Sequence, residues 1–130
     1  MLDPFGLEVL DRARCLALLA GARLGRVVFT HRGLPAVQLV RFALRGENVV
    51  CEVPPGSALF AAAHGTVVAF EADDFAADLS AGWSVTVLGR LREAREPALL
   101  AGLPPLSWRP DPEDRHLTVS IEVVSGSRLA

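Results

Sequence analysis

Residues 117–123 alternate cleanly: Leu117, Val119, Ile121 and Val123 are separated by Thr118, Ser120 and Glu122. A period of two puts the apolar four on one face of a strand and leaves the other face wet. Residues 83–93 repeat the pattern, with Trp83, Val85, Val87, Gly89 and Leu91 on one side and Ser84, Thr86, Arg90 and Arg92 on the other; Leu88 is the one apolar residue on the wet side. Shorter strand-like runs cover residues 25–30, 35–44, 49–53 and 67–71. Arg32-Gly33 suits a two-residue turn between the first two of these, and Gly46-Glu47 turns the chain into the third. Pro54-Pro55-Gly56 ends that third strand, because proline has no N–H to give to a ladder.

Helical signals are few and short. Asp11 is placed to cap a helix over residues 12–22, with Leu10 packing on Cys15 as a staple and Leu16, Leu18, Leu19 and Ala22 forming an apolar side. Ser57 opens a small helix over residues 58–63. Pro97 sits in the first turn of another over residues 98–103, which Pro104-Pro105 ends. Residues 73–81 read as a loop or a helical turn. Six strands with hairpin links and small helices predict a mainly β fold, a six-stranded split or closed barrel with short peripheral helices, since closure removes the exposed edges of so short a sheet. The same pattern also permits a sandwich.

The chain has 130 residues, the length of one domain, and 51% of them are hydrophobic against 22% charged, enough apolar material for a dense core and an oligomer interface. Its 13 cations are all arginine and scattered, and the net charge is −2, so no basic stripe points to nucleic acid. The absence of lysine removes Schiff-base and P-loop lysine chemistry from consideration. No apolar run approaches the ~20 residues of a membrane span. Asp3 and Glu8 stand where a signal peptide would be basic, so a cytoplasmic protein is expected. Cys15 and Cys51 lie apart, with the spacing of neither a disulfide framework nor a zinc site, and read as small buried apolar groups. His31, His64 and His116 are dispersed beside turns or a helix end, and the carboxylates of Asp73-Asp74 and of residues 111–114 lack a compact ligand pattern.

The corner after the third strand carries the most chemistry. Backbone N–H groups at a helix start attract anions, so Gly56 and Ser57 are candidates to hold a phosphate. The loop offers no cation, however, and Glu52 at its entrance would repel a phosphate.

In order and spacing, LDRARCLALLAGARLGRVVF, LPAV, PPGSAL, VVAFEADDF and GWSVTVLGR together resemble the pyridoxamine-phosphate-oxidase-like FMN-binding split barrels, in their actinobacterial branch. The resemblance implies a homodimer with cofactor pockets at the subunit interface, and an oxidoreductase in which flavin passes hydride to or from a small-molecule substrate. It also implies cofactor contacts from Arg41, Phe42, Glu52, Val53, Gly56, Ser57, Ala58 and Trp83, with Trp83 near the interface and the cofactor edge. Four of these depart from the family's pattern. The family has a basic residue followed by Thr or Ser at Glu52 and Val53, Lys at Ala58, and Asn at Arg41. The expectation is therefore an FMN-dependent oxidoreductase with an altered phosphate site. The alternatives are a deazaflavin enzyme and a barrel that has lost flavin and serves as a binding or scaffold module.

Hairpin register links two of the altered positions. With Gly46-Glu47 as the turn, Arg45 faces Asn48, and counting outward puts Arg41 opposite Glu52, where their charges would pair. Arg41 is otherwise the nearest cation for a phosphate. Ser84 and Thr86 face either a ring or water, and Trp108 covers either the barrel end or a partner subunit.

Overall fold

The computed structural model describes all 130 residues. In chain order the elements are β1 (Glu8–Leu10), α1 (Arg12–Ala20), β2 (Leu24–His31), β3 (Leu34–Arg41), β4 (Ala43–Arg45) and β5 (Asn48–Val53). There follow α2 (Ala58–Ala61), β6 (His64–Phe75), β7 (Gly82–Glu93), α3 (Pro97–Leu100), β8 (Arg115–Ser120) and β9 (Val123–Leu129). All the pairings are antiparallel, in the order β3-β2-β6-β7-β8-β5-β4, with β9 pairing both β7 and β1.

The tight turns form where the sequence places them. Arg32 and Gly33 have φ of 53° and 76°, the positive pair that a type I′ hairpin requires, and they join His31 to Leu34. Asp11 caps α1 by accepting from the Arg14 N–H at 2.8 Å, while Leu10 and Cys15 are buried beside each other. Ser57 caps α2 through a bond from the Phe60 N–H at 3.1 Å.

Closure follows from connectivity. Strands β3 and β4 stand at opposite ends of the sheet order, yet only Phe42 separates them in sequence. The sheet must curl until its ends meet, and because no ladder joins β3 to β4, the barrel is split there. Phe42 breaks what the apolar run 35–44 suggested as one strand: its N–H bonds the Arg23 carbonyl, and its ring packs edge-on against Phe70 with centroids 4.7 Å apart. Around this pair lies a core of 21 buried residues, including Leu19, Leu59, Leu91 and Leu117.

Nine strands form where six were expected. The fourth expected strand is β6, which runs through Phe75, so residues 73–75, read as loop or helical turn, are strand, paired with 82–84 of β7. The alternation over 117–123 does not continue as one strand. Strand β8 ends at Ser120, residues 121–122 redirect the chain, and β9 returns along β7 and β1. The crossing depends on Gly89, where a Cβ would stand 1.6 Å from the Ser120 carbonyl oxygen. Only a residue without a side chain lets β7 pass from β8 to β9 at that distance.

Candidate phosphate corner and outer sheet face

Three of the eight predicted contact residues have structural duties of their own. Phe42 and Val53 are buried in the core, and the Ser57 hydroxyl caps α2. Gly56 is exposed in the loop and Ala58 packs on the core. Trp83 is half-buried and lines a separate cleft of about 470 Å³ with Ala17, Leu18, Gly21 and Ala22 of the α1 end and Asp73 and Asp74 of β6. None of the other predicted residues lines that cleft.

Arg41 and Glu52 do approach one corner, but not as an ion pair. The β4–β5 ladder keeps the predicted register from Arg45↔Asn48 only as far as Ala43↔Val50. Beyond it Phe42 dives into the core, and Arg41 pairs instead with Leu24 on β2. Glu52 is drawn to the opposite neighbour, facing His116 on β8, whose Nε2 lies 3.5 Å from its carboxylate. What joins the two is Ser107. Its carbonyl accepts from the Arg41 guanidinium at 3.0 Å, and its hydroxyl lies 3.3 Å from Glu52 and 2.5 Å from Asp114. A hydroxyl has a single proton, so the nearer carboxylate takes it. Glu52 is held more firmly by the Leu106 N–H, 2.9 Å away. Nothing local in the sequence marks the link of Ser107 and Leu106 to this corner, because Arg41 and Glu52 lie more than fifty residues away. Trp108, expected to cover either the barrel end or a partner subunit, donates its indole N–H to the Leu39 carbonyl at 3.0 Å, on the edge strand β3.

The outer face of the sheet holds two further features. Registered positions Val37, Val28, Ala69, Leu88 and Val123 form one row across β3, β2, β6, β7 and β9. Val37 is 63% exposed and Val123 56%. Beside it, Arg26 bridges Glu71 at 3.2 Å and Asp73 at 3.5 Å, and Ser84 lies 3.4 Å from the other Glu71 oxygen. Burial, then the hydrogen bond and repulsion from Asp73, push Glu71 up to about 7, with Arg26 pulling the other way. Ser84, Thr86, Ser125 and Ser127 line a neighbouring shallow groove of about 270 Å³. Cys51, wholly buried, is pushed up to about 12, first by burial and then by Glu52, and no thiolate chemistry is available from it.

The family model for pyridoxamine 5'-phosphate oxidase matches residues 11–128. The chain belongs to that family. Its likeness extends to the uncharacterized protein Rv0080 of Mycobacterium tuberculosis, 33% identical over 127 residues that cover 92% of this chain and 84% of that one. Among solved structures, the FAD binding protein of Mycobacterium smegmatis is 30% identical, with a TM-score of 0.78 over 93% of this chain and 96% of the other. A FAD-binding protein of Mesorhizobium loti shares the fold at 19% identity and a TM-score of 0.76, covering 95% and 99% of the two chains. The corner at Glu52 presents a carboxylate held by the Leu106 N–H, and the nearby Arg41 guanidinium gives one of its five N–H donors to the Ser107 carbonyl.

Proposed function

We propose that this protein is a homodimeric flavin-binding oxidoreductase that holds its flavin at the subunit interface mainly through the ring and ribityl chain. The observation that carries the proposal is the five-strand apolar row on the outer sheet face, with Val37 and Val123 more than half exposed. A contiguous apolar band of this kind marks an interaction surface, and a second copy of the chain would cover it, burying on the order of 2,000 Å² as obligate dimers do. Family membership supports flavin as the cofactor, as does the FAD-binding description of the 30% identical relative. The groove lined by Ser84, Thr86, Ser125 and Ser127 borders the same face and offers hydroxyl donors suited to a polyol chain. No helix is long and apolar enough to cross a membrane.

Light scattering tests the first half: a dimer is expected at micromolar concentration, and Val28→Glu with Leu88→Glu should convert it to a folded monomer. A wild-type monomer would remove the interfacial site. Titration with FMN, FAD and a deazaflavin tests the second half and separates the cofactors. The corner at Glu52 favours a second reading, a barrel that has lost flavin and acts as a binding module. Absence of binding to all three cofactors by a well-folded dimer would establish it.

A further inference from the structure

Between α3 and β8 the chain forms a strap, entered through Pro104-Pro105, whose Leu106 and Ser107 are each only 4% exposed. Three bonds fasten it to the barrel's split: Leu106 N–H to Glu52, the Arg41 guanidinium to the Ser107 carbonyl, and the Trp108 indole to the Leu39 carbonyl, at 2.9, 3.0 and 3.0 Å. The side chain of Glu52 is 17% exposed. It accepts the backbone N–H of buried Leu106, so it has a structural reason to carry an acceptor oxygen.

We infer that the strap is a built-in occupant of this corner and that Glu52 is a specificity-determining residue that denies a terminal phosphate any favourable contact there. The inference rests on the flavin reading above and narrows its ligand. A phosphate monoester entering here would meet Glu52 and, through Ser107, Asp114, with Arg41 and His116 the facing basic groups. Arg41 is oriented toward the strap by the one N–H it donates to the Ser107 carbonyl, and the like charges of phosphate and carboxylates brought together without solvent oppose binding. The flavin tail is therefore not read by charge at this corner, and removing its phosphate costs nothing.

The test titrates wild type with riboflavin and with FMN at one ionic strength, following quenching of flavin fluorescence. Wild type should bind the two within about threefold of each other, and Arg41→Ala should leave that ratio alone; an engaged phosphate would favour FMN by about tenfold or more, the worth of one charge-assisted hydrogen bond. Glu52→Ala, which frees the strap and Arg41, should create a preference for FMN of about tenfold. If that variant does not fold, Glu52→Gln keeps an acceptor for Leu106, removes the charge, and should raise FMN over riboflavin about threefold. A wild-type preference for FMN that Arg41→Ala erases would overturn the inference, as would an unchanged ratio in the Glu52 variants. If wild type binds neither flavin, the reading of function fails separately. Inorganic phosphate then decides: it should leave the Leu106 amide and Trp108 indole NMR signals of wild type unmoved and shift them in the Glu52 variant, and a shift in wild type would refute the strap's role.

Discussion

Replacing Glu71 by glutamine should make the protein more stable at pH 8 and flatten its pH dependence. In the folded chain burial and Asp73 raise this carboxyl from 4.5 to about 7, against the pull of Arg26. A folded state that holds a proton more tightly than the unfolded chain gains stability at low pH. Stability should therefore fall as pH rises from about 4.5 through about 7, and level off above. The full gap of ~2.5 units corresponds to ~3.4 kcal/mol at 1.36 kcal/mol per unit. The Glu71 side chain keeps 27% of its surface in water and shares one guanidinium with Asp73, so screening reduces the expectation to about 1 kcal/mol. For a domain of this size that is a rise in Tm of roughly 3–5 °C at pH 8. The assay is urea denaturation from pH 5 to 8 at fixed protein concentration, since the stability of the proposed dimer would depend on it. If wild-type stability rises across that range, or the variant is less stable at pH 8, the Arg26 ion pair outweighs burial and the reasoning is wrong.

Other substitutions test the frame. Gly89→Ala should cost about 3 kcal/mol or more, because the new methyl meets a backbone carbonyl at 1.6 Å that cannot move aside; a loss under about 1 kcal/mol in urea melts would show that the β7 crossing is looser than described. Phe70→Ala, at a wholly buried ring packed on Phe42, should cost about 3–5 kcal/mol by the same measurement. Ser57→Ala should cost about 1 kcal/mol through its lost cap while leaving flavin affinity unchanged; a large drop in affinity would return Ser57 to the phosphate site.

The fold was legible because its signals are local. Alternation over 83–93, the Arg32-Gly33 and Gly46-Glu47 turns, and the Asp11 and Ser57 caps each depend on a few adjacent residues, and all formed. What escaped depends on contacts distant in sequence. Strand β9 was hidden because 121–122 interrupt the alternation at a place fixed by bonds to Glu47 and Leu88, not by a turn motif. The Arg41–Glu52 pair failed for a similar reason. Register counting is sound only while the ladder lasts, and Phe42 leaves it for the core beside Phe70. The strap could not be foreseen at all, since the chain between Glu52 and Ser107 passes through two long strands and two helices before returning.

The visible spectrum of the purified protein, recorded after incubation with riboflavin, FMN and FAD and removal of unbound ligand, tests the central claim most directly. Retention of flavin bands, with the free-flavin spectrum shifted by the protein environment and riboflavin held as well as FMN, is the predicted result. A folded protein that emerges colourless from all three incubations would contradict it.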